Sequence, residues 1–116
     1  MLTDAANIKL GVMGRARWRH LREKVWSETD RKHFEISTGR LNDLIEEAGS
    51  LIPNGPCLTM DDDFELQIFW ELSLDQDIEV DCLVNGYEVL VEGWTGDGFV
   101  RTAQEAIVLL SQLSGS

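Results

Sequence analysis

IEVDCLVNGYEVLVEGW, residues 78–94, decides the fold that we expect, because Asn85-Gly86 is the strongest hairpin signal in the chain. A two-residue type I′ loop needs positive φ at both central residues, and Asn and Gly adopt that conformation at little cost. The loop sets the predicted cross-strand pairs, which are Val84 with Tyr87, Cys82 with Val89, and Val80 with Val91. The sequence therefore predicts two antiparallel strands joined by a tight turn.

The two faces of this hairpin differ, because successive side chains of a strand point to opposite sides of the sheet. The apolar face comprises Ile78, Val80, Cys82, Val84, Tyr87, Val89 and Val91. The opposite face comprises Glu79, Asp81, Leu83, Glu88, Leu90 and Glu92. We expect the first face to be core and the second to be an acidic surface with apolar positions in it.

Two more strands are expected before the hairpin. Residues 57–60 read as a short strand, and residues 64–72, FELQIFWEL, alternate along a longer one. Its side chains Phe64, Leu66, Ile68, Trp70 and Leu72 face one way, and Glu65, Gln67, Phe69 and Glu71 face the other. With the hairpin, these segments predict a four-stranded antiparallel meander.

Helical patterns fill the first part of the chain. Asp4 suits the cap of a short helix that ends at Gly11 or Gly14. The helix predicted next, over residues 15–26, carries an apolar stripe of Trp18, Leu21 and Val25. A third pattern covers residues 34–48, as one helix or as two with a break near residues 37–39, and Gly49 suits its C-terminal end.

The last helix is marked by a capping box from Thr102 to Glu105. Its residues Leu109, Leu110 and Leu113 should cover the apolar face of the sheet. We therefore predict an α+β fold: N-terminal helices, a four-stranded antiparallel β-meander, and a C-terminal helix packed on the apolar face. The chain reads as a single domain, with a helical part at 1–52, the sheet at 57–100 and the final helix at 102–113.

Charge is unevenly distributed over the 116 residues, whose formal net charge is −11. Residues 1–40 contain nine of the ten lysines and arginines, and sixteen of the 21 acidic residues follow residue 40. Either the basic helices cross the acidic sheet, or one of these surfaces meets a partner of opposite charge. The net charge favours a basic protein surface as the partner, with no direct binding of DNA or a membrane expected.

Cysteine usage and hydropathy bear on the compartment. Cys82 falls on the predicted apolar face, so a free buried thiol is expected in preference to a disulfide with Cys57 or a metal ligand. No apolar run approaches the roughly 20 residues of a membrane span, and the first residues lack the pattern of a signal peptide. A reducing cytoplasm is the simplest compartment that fits.

Residues suited to catalysis are few. The two histidines, His20 and His33, both lie in the basic helical half. Arg15 and His20 resemble the R-x4-H pair of helical HEPN-type ribonucleases, and with Arg19 they give a third possible function, RNA binding or RNA cleavage. Because no other constellation suggests a reaction, we expect a protein that is not an enzyme.

Acidic segments give no metal-binding pattern. A calcium loop that started at Asp75 would need glycine at its sixth position, where this chain has Val80. Asp61-Asp62-Asp63 reads as a solvated acidic turn, with which weak binding of divalent cations is compatible. We therefore expect no resident metal and no cofactor.

One passage, LNDLIEEAGSLIPNGPCLTMDDDFELQIF at residues 41–69, resembles the opening of acidic type III secretion chaperones. In that family a helix runs into a loop, a short strand with Cys-x-Leu character and an acidic turn. The family has a helix between its strands, for which the hairpin at Asn85-Gly86 leaves no room. The resemblance implies an alternative function, a chaperone-like or adaptor protein that holds a partner's segment along a strand edge.

The acidic face of the sheet is the candidate binding site, because charge surrounds apolar residues there as in many protein-binding surfaces. The expected contact residues are Phe69, Glu71, Glu79, Asp81, Leu83, Glu88, Leu90 and Glu92. We expect an inhibitor of the immunity-protein, antitoxin or phage-encoded type that covers a basic surface of a nucleic-acid-handling protein. The oligomeric state stays open, and a homodimer is compatible with the sequence.

Overall fold

A computed structural model describes residues 1–73 and 76–114 of the chain, with the backbone alone for Leu72, Ser73 and Ser114. Its helices are α1 (Asp4–Glu23), α2 (Glu28–Ala48), followed by a 3-10 turn (Gly49–Leu51), and α3 (Ala103–Ser114). Its strands are β1 (Cys57–Met60), β2 (Leu66–Ser73), β3 (Gln76–Leu83), β4 (Gly86–Val91) and β5 (Phe99–Val100). Each strand pairs antiparallel with the next. The α+β meander is confirmed, with five strands where four were predicted.

The β3–β4 hairpin has the predicted faces but a different register. Its pairs are Leu83 with Gly86, Cys82 with Tyr87, Val80 with Val89, and Ile78 with Val91. Val84 and Asn85 are thus the central residues of the turn, and neither has a positive φ. The predicted type I′ turn at Asn85-Gly86 is therefore wrong. The register differs by two residues, so the strand residues keep their predicted faces and only Val84 moves into the turn.

Gly86 is explained by its contact with β5, which pairs with the outer edge of β4. A Cβ atom at Gly86 would overlap the Val100 carbonyl oxygen, and one at Gly98 would overlap the Val89 carbonyl oxygen. The Val89 amide also donates to the Gly98 carbonyl at 2.9 Å. Glycine is needed at both positions because backbone approaches backbone there. The fifth strand was not predicted because two residues are too few to show a period.

Helix α1 is bent where the sequence predicted a break. Gly11 has φ 73° and ψ −175°, so the segments before and after it are separate helical runs joined at a kink. Thr3, and not Asp4, caps the first run, since its hydroxyl accepts a hydrogen bond from the Ala6 amide at 3.3 Å. The second run ends at Glu23, a little earlier than expected.

Helix α2 is continuous, so the alternative of a break near residues 37–39 is wrong. It begins after Ser27, whose side chain accepts a hydrogen bond from the Asp30 amide at 3.1 Å. Trp18 of α1 donates its indole N–H to the buried Thr38 hydroxyl at 3.2 Å, which ties the two helices together. Gly49 follows α2 with a φ of 54°, as predicted for its C-terminal end.

Helix α3 begins with the predicted capping box. The Thr102 hydroxyl accepts a hydrogen bond from the Glu105 amide at 3.1 Å, and it donates to the Glu105 carboxylate at 3.0 Å. Leu110 of this helix is 1% exposed and belongs to the core. The predicted packing of α3 on the apolar face of the sheet is confirmed.

All three helices lie on the same side of the sheet. Ser37 of α2 donates its hydroxyl to the Cys82 carbonyl at 2.5 Å and accepts from the Leu66 amide at 2.6 Å, which fixes α2 over β2 and β3. The sheet contributes Leu58, Leu66, Ile68, Trp70, Ile78, Val80, Cys82, Tyr87, Val89 and Val91 to the core. The basic N-terminal helices therefore cover the apolar face and not the acidic one.

Candidate protein-binding face

We call the side of the sheet opposite the helices the outer face. Cross-strand pairing arranges its central side chains in two rows. The Phe69 row comprises Cys57, Phe69, Glu79 and Leu90. The Asp81 row comprises Thr59, Gln67, Asp81, Glu88 and Phe99. Apolar and acidic side chains are therefore neighbours across the middle of the sheet.

Most of the predicted contact residues lie in these two rows, and the others lie beyond them. Glu71 is one pair beyond the Phe69 row, opposite Asp77. Glu92 follows β4, and its amide donates to the Asp77 carbonyl at 3.0 Å. Leu83 is opposite Gly86 at the turn, on the far side of the Asp81 row from Phe69 and Leu90. The three apolar residues among the predicted contacts therefore form two apolar areas, with Asp81 between them.

Sequence reasoning did not include Phe99 among the contacts. The structure places this side chain opposite Glu88, where it is 40% exposed. The signal that could have found it is the glycine pair Gly86 and Gly98, which marks a close backbone approach after the hairpin. Gln67 was also left out, although it lies directly opposite Asp81.

A shallow groove of ≈ 390 Å³ runs along the Phe69 row. Phe69 and Leu90 line it, and Leu90 is 41% exposed. The acidic residues that line it are Asp77, Glu79 and Glu92. Such a groove suits a partner surface that presents apolar and cationic side chains side by side.

Asp81 is the most perturbed carboxyl group of this face. Its side chain is only 8% exposed, and its Oδ1 atom is buried without a hydrogen-bond partner. Burial, a hydrogen bond with Glu79 and the negative charges of Glu79 and Glu88 raise the pKa of Asp81 from 3.8 to about 8, while a hydrogen bond with Gln67 acts in the opposite direction. Burial and the like-charged neighbours therefore favour the protonated form of Asp81.

The acidic turn before β2 has a structural explanation. Asp61, Asp63 and Glu65 offer carboxylate oxygens within 4.8 Å of one another. Asp61 Oδ1 accepts hydrogen bonds from the Asp63 and Glu65 amides at 2.9 and 3.0 Å. Glu65 in turn accepts from the Val84 amide at 2.7 Å. These bonds order the turn and tie it to the β3–β4 hairpin, while Asp75, where the calcium-loop comparison starts, lies outside the described residues.

Several basic side chains of the N-terminal half bind backbone carbonyls within the fold. Lys9 donates to the carbonyls of Gly49 and Ile52 at 2.9 and 2.7 Å, near the C-terminal end of α2. Arg17 donates to the Leu58 carbonyl on β1 at 3.3 Å. Part of the positive charge therefore stabilises the packing of α1 on its neighbours.

The residues of the R-x4-H pattern lie along α1. Arg15 donates to the Asn7 carbonyl at 3.5 Å, while Arg19 and His20 are exposed.

Burial raises the pKa of the Cys82 thiol well above its ordinary value, while Cys57 is exposed. Both cysteines are free, as the prediction of a free buried thiol at Cys82 required.

No protein-family model, curated protein or solved structure matches the chain. Within the described residues, no helix has the length and apolar character to cross a membrane. On the outer face, the exposed side chains Leu90 and Phe99 lie directly opposite the acidic residues Glu79 and Glu88.

Proposed function

We propose that the chain is a non-enzymatic binding protein that covers a basic surface of another protein with the outer face of its sheet. The observation that supports this most is the pairing of an exposed Leu90 and a half-buried Phe69 with Glu79 between them, on the side of the sheet opposite the three helices. An apolar area with a charged rim is typical of a protein-binding surface. The core does not require these apolar side chains, which leaves them free for a partner.

The class of partner follows from the charge. A protein that handles nucleic acid has a positive surface, because that surface must neutralise phosphates. A chain with a net charge of −11 and a cluster of acids on the outer face of its sheet competes for such a surface. We therefore propose an inhibitor of the immunity-protein, antitoxin or phage-encoded type, acting in the cytoplasm.

Capture from the native host by the tagged chain, followed by mass spectrometry, identifies the partner, and two variants then test the face. Glu79→Lys combined with Glu92→Lys reverses the charge at the groove and should slow association, most strongly at low salt. Phe69→Ala removes an anchor and should speed dissociation, for a loss of about 2 kcal/mol in binding. Stopped-flow or surface-plasmon-resonance measurements separate the two rates.

Matched controls change the same properties elsewhere. Asp62→Lys combined with Glu46→Lys makes the same change of net charge at exposed positions away from the outer face. Val108→Ala truncates a side chain that is 56% exposed on α3. If the outer-face variants fold and bind as the parent does, or if the controls lose binding equally, the outer face is not the site.

A specific observation favours the adaptor function as a second candidate. Val12 and Met13, next to the kink of α1, are 72% and 84% exposed. They line an apolar groove of ≈ 560 Å³ beside Cys57 and Leu58 of the edge strand β1. An edge strand with an apolar flank is a place where an extended segment of a partner pairs. Met13→Asp should weaken that binding and leave binding at the outer face unchanged.

A further inference from the structure

We infer that Glu79, Asp81 and Glu88 form a receptor for one arginine guanidinium of the basic partner. The inference rests on the proposed function, since the partner supplies the arginine. Binding of this group also displaces a proton from Asp81 to solvent.

The three carboxyl groups are brought together by the pairing of β3 and β4. Asp81 lies directly opposite Glu88, and Glu79 lies two residues earlier on the same face of β3. Asp81 is nine-tenths buried among its neighbours, yet its Oδ1 atom has no hydrogen-bond partner. A buried acceptor is ordinarily paired, so an unpaired one in the middle of an exposed face indicates that a donor arrives from outside.

Within the described residues, no basic side chain pairs with this cluster of carboxyl groups. The side chains that interact with the Asp81 carboxyl group are Gln67 of β2, Glu79 of β3 and Glu88 of β4. Phe99 of β5 is the next residue in the same row, beyond Glu88. Both charged neighbours therefore have the same sign as an ionised Asp81. The basic helices pack on the other face of the sheet, so they do not supply the missing charge.

The spread of the carboxyl groups suits a guanidinium better than a metal ion. Among the described residues, the set of potential metal ligands with donor atoms within 4.8 Å of one another is that of the acidic turn, and Glu79, Asp81 and Glu88 do not form such a set. A guanidinium is planar and has five N–H donors, so it reaches several carboxylates at once. Phe69 lies opposite Glu79, and Phe99 lies opposite Glu88. At these positions their rings can stack on the bound guanidinium.

Proton release makes the affinity depend on pH. The pKa of Asp81 is about 8 in the free protein, so below that pH binding must displace a proton. The affinity should therefore rise by up to about tenfold per pH unit between pH 6 and pH 8, and should level off above that range. An arginine side chain stays charged throughout and adds no titration of its own.

The test uses acetyl-tetra-arginine amide as the probe and follows its binding by calorimetry from pH 6 to pH 9. The parent should show the rise in affinity, and carbon NMR of the Asp81 carboxyl should show its pKa falling when the peptide is added. Asp81→Asn should bind less tightly than the parent at pH 9 and should lose the pH dependence. Asp62→Asn makes the same change of net charge on the acidic turn and should behave as the parent.

Each other outcome overturns a defined part of the inference. Binding on the outer face without a pH dependence, or an equal loss in both variants, overturns the proton linkage and the role of Asp81 but not the proposed function. Equal affinity for acetyl-tetra-lysine amide overturns the choice of a guanidinium. Amide shifts confined to surfaces other than the outer face overturn both the inference and the proposed function.

Discussion

The two faces of the sheet come from the same strands and the same alternation, yet only one is covered. Val80 and Val89 on the inner face are fully buried beneath the helices, whereas Leu90 and Phe99 on the outer face are 41% and 40% exposed. Burial of apolar area is the main favourable term in folding, so the inner face supplies stability. The outer face keeps apolar area that a partner can bury.

Buried polar groups are present on both faces of the sheet. On the inner face, the Ser37 hydroxyl both donates to a carbonyl and accepts from an amide. On the outer face, Asp81 is almost as deeply buried and has an oxygen without a partner. Among the side chains that the structure describes, each face nevertheless keeps one buried atom without a partner, which is the indole Nε1 of Trp70 on the inner face and a carboxyl oxygen of Asp81 on the outer face.

The largest expected effect comes from shortening a core side chain that packs on the inner face. Leu110→Ala should lower the free energy of unfolding by about 2–5 kcal/mol, because it opens a cavity between α3 and the sheet. Leu90→Ala removes the same atoms on the outer face and should cost less than about 1 kcal/mol. Urea denaturation measures both. Similar losses for the two variants would contradict the division between a face that supplies the core and a face whose apolar side chains the core does not need.

A smaller effect is expected where β5 joins the outer face. Gly86→Val should lower the free energy of unfolding by more than about 1 kcal/mol, because its side chain meets the Val100 carbonyl and forces β5 away from β4. Gly39→Ala is the control, since a Cβ there meets nothing within 4 Å and alanine favours a helix. It should be neutral or stabilising. An unchanged melting temperature for Gly86→Val would show that the β4–β5 contact is wrong.

A third expected effect is a dependence of stability on pH that belongs to the outer face. Because the pKa of Asp81 is about 8 in the folded protein and 3.8 ordinarily, the folded state keeps a proton that the unfolded state releases. This contribution is complete below pH 3.8 and is lost as the pH rises through 8, with a slope of at most about 1.4 kcal/mol per pH unit, which solvent screening reduces.

Asp81→Asn should remove that slope and should be more stable than the parent above pH 8, because an amide replaces the protonated acid without taking a charge. Asp62→Asn should keep the slope of the parent. Thermal unfolding followed by circular dichroism from pH 5 to pH 9 makes the comparison. A parent whose melting temperature rises across that range relative to Asp81→Asn would contradict the assignment.

The faces of the sheet could be predicted from sequence even though the register could not. Alternation has a period of two, so a register in error by two residues still puts Glu79 and Asp81 on one side and Val80 on the other. The turn was misread because the demand for glycine at residue 86 comes from β5, which is a contact between distant segments. Turn preferences describe only the local backbone.

Two properties of the candidate site depend on tertiary structure alone. Which face the N-terminal helices cover was open, because both faces of the sheet offer apolar residues and the charge pattern allowed either arrangement. The burial of Asp81 depends on Gln67 and Glu88 of the neighbouring strands. It could therefore not be predicted from the residues next to Asp81 in the sequence. Phe99 joins the outer face only through a pairing of two residues.

The glycines of the β4–β5 contact should constrain the evolution of the sequence as well as its folding. Gly86 and Gly98 each face a carbonyl oxygen across the pair of strands, and any side chain there would separate them. Natural homologues should therefore retain both glycines at the same spacing, even in lineages whose outer face has diverged to follow a different partner. Together with the Thr102–Glu105 box that follows, they form a signature by which remote members of the lineage can be recognised.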